Sequence, residues 1–292
     1  MKTVWVFPGQ GSQMQGMGAD LADSKQFAQA EELLGWSVAE VCQSGQETLT
    51  RTDLTQPCLY VISAVLADLL KAQGHRPDFV AGHSLGEYAA LYCGGAFDFV
   101  TGLKLVQKRS LLMAQVHGGK MAALMGFDRQ KLELVVDQHQ DVVIANDNSA
   151  DQVVISGTSE AVAQVIAELN AKRSVYLPVS GAFHSPLMQS VAVEFNHYLD
   201  QFTFQDLTVP FLSNVHPLSS TQSGQVCHTS LSQQMTAPVR WRELCLHLQE
   251  LGCTRVVEVG AGKVLTGLVK RILPGVELIN ISNRSDIFAR LS

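Results

Sequence analysis

The chain has 292 residues, of which 46% are hydrophobic and 16% charged, with a formal net charge of −6 at pH 7. That much apolar material predicts a large core divided between two structural units, while scattered Lys and Arg in an acidic total exclude the footprint of a nucleic-acid or anionic-lipid binder. Small molecules or other proteins are the expected partners.

The first predicted element is the strand "TVWVF", Thr3 to Phe7, an apolar β-branched run that stops at Pro8-Gly9. The loop after it, "FPGQGSQ", lacks the G-K-[ST] ending of a P-loop and does not complete G-x-G-x-x-G, so it is not a nucleotide loop. Glycines there do let a backbone amide near Gln10 reach a neighbouring site as an oxyanion donor. "QPCLYVISAVLADLLKAQG" predicts a helix with Pro57 near its first turn and Gly74 at its end.

Next comes the strand "DFVAG", which feeds "GHSLG", Gly82 to Gly86. This matches G-x-S-x-G, the nucleophile elbow: glycines flank a serine where the backbone turns too tightly for side chains, and the turn presents Oγ at a helix N-terminus. The alternative is an ordinary strand-to-helix turn with an N-cap serine. In the following helix, "TGLKLVQKRSLLMAQV", Leu105, Val106, Leu112, Met113 and Val116 form one apolar stripe, and Arg109 falls inside it while Lys104 and Lys108 do not. A buried guanidinium needs an anion, either an internal carboxylate or one on the substrate.

From Met121 to Ser180 the elements shorten into strand, helix, two strands, helix and strand, the βαββαβ order of a ferredoxin-like unit inserted into a larger α/β domain. After it, "SGAFHSPLM" places His184 just before an N-cap Ser185 and a first-turn Pro186. That is a cleft wall where a general base for Ser84 would sit, although a surface-loop histidine fits the same position. His83 adjoins the nucleophile and points elsewhere on the elbow. "TRVVEVGAG" returns to the strand-then-glycine style of the beginning, so the large domain is expected to be discontinuous.

Cys42, Cys58, Cys93, Cys227, Cys245 and Cys253 show no C-x-x-C spacing and no pairing with histidine, which favours buried thiols of a reducing compartment over disulfides or a zinc site. The apolar run in "MKTVWVFPGQGSQ" is too short for a signal peptide. No uninterrupted apolar segment reads as long enough to span a bilayer, and a soluble cytoplasmic protein is expected.

Together "FPGQGSQ", "GHSLGEY", "QKRSLLM", "GAFHSPLM" and "APVRW...VGAGKVLTGL" resemble the malonyl-CoA:acyl carrier protein transacylase family, in its order and across nearly the whole chain. The resemblance implies an α/β fold, with an α/β-hydrolase-like large domain (residues 1–119 and 184–292) and a ferredoxin-like small domain (120–183). It implies Ser84 as nucleophile and His184 as base, with no aspartate completing a triad. Arg109 would bind the malonyl carboxylate, the amides of Gln10 and Leu85 would form the oxyanion hole, and the Gln234 carbonyl would orient the histidine. Malonyl-CoA and an acyl carrier protein are the implied partners, with no metal or other cofactor. "QKRSLLM" and "GGAFDFVTGL" look closer to free-standing acyltransferases of polyketide synthases than to the housekeeping fatty-acid enzyme, and Ala182 to Ser185 resembles the malonyl-selecting version of its motif. A proofreading acyl hydrolase would keep the dyad, but such relatives usually lack the arginine. In "ANDNSADQ", Asp147 departs from the family's wording, and a carboxylate facing the pocket there would repel malonyl.

Overall fold

Alternation along the first strand decides how the molecule layers. In β1 (Lys2–Phe7), Val4 and Val6 pack into one apolar cluster while Trp5 and Phe7 enter another on the opposite face. A strand buried on both faces belongs inside a helix-covered parallel sheet. The computed structural model, which describes residues 1–290, places it there.

After β1 come α1 (Lys25–Leu34), α2 (Val38–Gln43), α3 (Gln46–Thr50), α4 (Thr52–Ala72), β2 (Phe79–Gly82), α5 (Gly86–Gly94) and α6 (Phe99–Ala114). The chain then leaves through β3 (Gly119–Met125), α7 (Arg129–Asp137), β4 (Val142–Ser149), β5 (Gln152–Thr158), α8 (Ser159–Leu169) and β6 (Arg173–Tyr176). It returns by α9 (Gln189–Leu199), β7 (Phe211–Leu212), β8 (Ser220–Thr221), α10 (Gly224–Gln234), α11 (Trp241–Glu250), β9 (Cys253–Val259), α12 (Val264–Ile272), β10 (Glu277–Ile281) and α13 (Arg284–Arg290).

The larger sheet has the order β10-β9-β1-β2-β7-β8, parallel except where β8 runs against β7. Its strands come from both sides of the excursion. The smaller sheet, β4-β5-β3-β6, is antiparallel throughout. On it Ala122, Leu124, Val153 and Ile155 face α7 and α8, whereas Met121, Ala123 and Val154 turn to the main core. One period-2 pattern therefore serves two cores, and it seats the small sheet against the large unit.

Three details differ from the sequence reading. Helix α4 begins at Thr52 with no side-chain cap to announce it, so Pro57 lies inside the helix rather than near its first turn. The missing proline N–H leaves the Asp53 carbonyl without its helical donor, and Ser110 Oγ of α6 donates to it at 3.4 Å. The same 21-residue helix is long and apolar enough to cross a membrane by length and composition, contrary to the expectation that no segment is. Of its most apolar window, 78% is buried within the fold, so its apolarity is that of a core helix. Val116, assigned to the α6 stripe, lies beyond the helix, which ends at Ala114.

Candidate active site

The backbone at "GHSLG" is fixed by what cannot fit. A Cβ on Gly82 would sit 2.0 Å from the Gly86 carbonyl carbon, and one on Gly86 would sit 1.9 Å from the Phe7 oxygen. The turn between them drives Ser84 to φ 50°, a left-handed conformation. Ser84, Asn170 and His184 are the described non-glycine residues at positive φ, and two of them face each other: His184 has φ 57° and its Nε2 lies 2.8 Å from Ser84 Oγ. Such a conformation costs about 1–3 kcal/mol per residue and persists only when the surroundings hold it.

The restraints on Ser84 come from distant segments. Its N–H donates to Asn214 Oδ1 at 2.7 Å, Asn214 Nδ2 donates to the Gly82 carbonyl at 2.7 Å, and Gln234 Nε2 donates to the Ser84 carbonyl at 2.9 Å. His184 is held at its other nitrogen, where Nδ1 faces the carbonyls of Gln234 (3.0 Å) and Ala237 (3.1 Å). Carbonyls only accept, so Nδ1 carries the proton and Nε2 is left to accept from Ser84. Burial, followed by the positive charge of Arg109, pushes the imidazole down to about 3, so it is a neutral acceptor at neutral pH.

Arg109 is 1% exposed. Nη1 donates to Gln56 Oε1 at 2.6 Å and Nη2 to Ser84 Oγ at 2.9 Å, the guanidinium lies 5.6 Å from the centre of the Tyr88 ring, and Nε is buried without a partner. Among the described residues no carboxylate forms an ion pair with it; burial lowers its pKa, and the charge of Glu87 acts only in the opposite, minor sense. The internal ion pair left open by helix spacing is therefore not what meets this cation.

These groups line a cleft of about 80 Å³ together with Gln10, Leu85, Met113, Met121, Asn146, Leu177, Val179 and Phe183. The amides of Gln10 and Leu85 make no hydrogen bond within the described chain. Met121 and Asn146 come from the small sheet, so the cleft lies between the two sheets' units. Asp147 turns out of it: its carboxylate is paired with Arg129 (2.7 Å) and Arg242 (3.0 Å). His83 also lines the cleft, while its ring bonds Asn148 Oδ1 at 2.9 Å and packs on Trp241. Ser185 caps the turn at Pro186–Met188, as its spacing anticipates. All six cysteines are buried free thiols, and among the described residues no group of three or more His, Cys, Asp or Glu is placed to hold a metal.

Sequence reasoning missed Gln56, Asn214 and Glu87. Gln56 is buried in a helix that reads as amphipathic or buried with nothing to single this residue out, and Asn214 reaches Ser84 across 130 residues, a separation no local pattern encodes. Glu87 was visible as the residue closing "GHSLGE". It is fully buried, its carboxyl pushed up to about 7 by that burial against the N–H donors of Asn214 and Gln234 and the charge of Arg109.

The acyl transferase domain model matches residues 4–280. A malonyl CoA-acyl carrier protein transacylase of Synechocystis is 54% identical over 98% of this chain and 99% of its own length, and its crystal structure superposes with a TM-score of 0.97 over 99% of this chain and all of that one. A polyketide biosynthesis malonyl CoA-acyl carrier protein transacylase of Bacillus velezensis is 43% identical over 92% of this chain and 96% of its own. A type II PKS acyl-carrier protein in complex with its malonyl-transacylase matches with a TM-score of 0.94 at 35% identity, covering 100% of this chain and 99% of that one. Likeness of this extent, from end to end and on both the sequence and the backbone, places the chain in the acyl transferase family, where it belongs among the malonyl-CoA:acyl carrier protein transacylases.

Proposed function

We propose that this chain moves a malonyl group from malonyl-CoA to the phosphopantetheine thiol of an acyl carrier protein, through an ester on Ser84. The observation that carries the reading is Arg109, a buried cation in the cleft that touches the nucleophile and has no carboxylate of its own. In malonyl-CoA one methylene separates the thioester carbon from the free carboxylate. A guanidinium beside Ser84 Oγ can thus hold that carboxylate while the thioester carbon meets the oxygen.

In the first half-reaction Ser84 Oγ bonds to the thioester carbon as its proton passes to His184 Nε2. The carbonyl oxygen takes the negative charge, and the free amides of Gln10 and Leu85 are the donors proposed to receive it. Collapse breaks the carbon–sulfur bond, and the proton on His184 leaves with coenzyme A as its thiol. In the second half-reaction the carrier's thiol gives its proton to His184 and attacks the ester; the carbon–oxygen bond breaks and Ser84 recovers the proton. The Gln234 carbonyl keeps His184 Nδ1–H oriented throughout. Each step balances without a metal or redox group, so no cofactor is invoked. The substrates are water-soluble and the expected setting is cytoplasmic.

Residues 1–119 with 184–292 are taken as the large domain and 120–183 as the small one, which walls the acyl pocket. The relatives include polyketide and unspecified malonyl transacylases, and the pathway served depends on which carrier docks. A single assay tests the reading: radiolabelled malonyl-CoA with and without a carrier protein, following label on enzyme, carrier and free malonate. Label on Ser84 that chases to the carrier is expected. Label that accumulates as malonate with carrier present would indicate a hydrolase, and labelling of Ser84→Ala at the wild-type level would overturn the nucleophile. His184→Ala should slow acylation by about 10²-fold or more.

A further inference from the structure

A fully buried carboxylate without an ion-pair partner requires an explanation, because its desolvation is costly unless hydrogen bonds compensate. Glu87 is such a group, 0% exposed on the first turn of α5. One oxygen accepts the backbone N–H of Asn214 at 2.6 Å, and the other accepts a short bond from Gln234 Nε2. These partners are the residues that restrain the dyad. Asn214 pins the Ser84 N–H and the Gly82 carbonyl, while Gln234 donates to the Ser84 carbonyl and offers its own carbonyl to His184.

We propose that Glu87 is a positioning residue for both halves of the dyad, holding the elbow through Asn214 and the histidine's anchor through Gln234. The inference rests on the Ser84–His184 reading above. The ionised carboxylate suits the task because it presents two acceptor oxygens, which matches two N–H groups arriving from separate segments; a glutamine supplies one acceptor and one donor and satisfies only one of them. The reach is also unlike local capping. Glu258, another buried carboxylate, bonds Leu265 and Thr266, 7 and 8 residues along, at the start of α12. Glu87 joins segments 127 and 147 residues away.

The test compares wild type, Glu87→Gln, Gln234→Met and the double variant in single-turnover acylation by malonyl-CoA, with a melting curve for each. Gln234→Met keeps the backbone carbonyl and the volume while removing the amide. Each single variant is expected to acylate about 10- to 100-fold more slowly, the scale of a small misplacement of reacting groups, with half-saturation by malonyl-CoA changed by less than about threefold. The double variant should lose less than the product of the two single losses, because the Glu87–Gln234 bond is common to both. Losses that multiply in the double variant, an effect mainly on half-saturation, or wild-type rates in folded Glu87→Gln would overturn the role. If Glu87→Gln does not fold, a wild-type rate in Gln234→Met overturns it instead. A wild type that forms no ester at Ser84 would defeat the reading beneath it and not this inference alone.

Discussion

Replacing Arg109 by alanine removes a cation from a cleft whose nearest neighbours include Met113, Met121 and Phe183. A malonyl carboxylate entering that cleft would then be unpaired, at a loss of about 2–5 kcal/mol in kcat/KM for malonyl-CoA. Acetyl-CoA, which has no such charge, should be used as well as before or better. The check is kcat/KM for both donors in wild type and variant, and equal losses would refute the clamp. His184 gives a second consequence through its titration. Its imidazole titrates near 6.5 when unfolded and at about 3 in the fold, so between these values the unfolded chain binds a proton that the folded one does not. Stability from this group is therefore full above 6.5 and is lost as pH falls towards 3. Glu87, raised from 4.5 to about 7, works in the opposite sense over its own window. His184→Gln should consequently lose less Tm than wild type on acidification from 6.5, measured by melting curves at matched pH. The dyad residues and the arginine were legible because each has a local signature: a glycine-flanked corner, a cap-and-proline turn, a cation inside an apolar stripe. Their orienting partners Asn214 and Gln56 were not, since folding alone brings them near.

The elbow between β2 and α5 functions through the absence of side chains. Gly86→Ala would drive a Cβ to 1.9 Å from the Phe7 backbone oxygen, and β1 would have to move. The expected result is loss of soluble protein or a Tm reduced by many degrees, read in a melting curve. Asp98 offers a milder contrast. It caps α6 by accepting the Thr101 N–H at 2.7 Å, and Asp98→Ala should cost about 1 kcal/mol in denaturant unfolding while leaving α6 in place. All six elements of the small sheet's unit were readable from their periodicity, whereas the amphipathic helices α1, α11 and α12 were not read as elements. The start of α4 was misplaced because Arg51 makes no side-chain cap and proline usually marks a first turn. Here Ser110 of a neighbouring helix supplies the hydrogen bond to Asp53 that lets Pro57 sit inside.

The two sheets meet at a junction that sequence alone left open. Val239 exchanges backbone hydrogen bonds with Ala145 and Asp147, at 2.8 and 2.9 Å, and the Asp147 carboxylate sits between Arg129 of α7 and Arg242 of α11. Asp147→Asn should weaken both pairs, lowering stability by about 1–3 kcal/mol after allowance for their partial exposure. It should also slow malonyl transfer, because Asn146 beside it lines the cleft; unchanged Tm and unchanged transfer would show that the junction does not depend on this charge. Fold class and the inserted unit could be read from element order, whereas the way in which the units are tied depends on charges whose partners lie 18 and 95 residues away.

The strand order has a consequence for how the molecule comes into being. Strand β1, made long before β9, has β2 on one side and β9 on the other, so one of its edges stays open until Cys253–Val259 has left the ribosome. The small sheet's unit depends less on later chain: all four of its strands lie between Gly119 and Tyr176, although the contacts of β4 with Val239 and Arg242 must wait. Synthesis thus passes through a stage in which the small sheet can be complete while Ser84 is already made but its sheet is not. During that interval the apolar edge of β1 is a template for wrong partners. The open edge is a hazard of translation, and a nascent chain stalled before β9 is where a chaperone would be expected to bind.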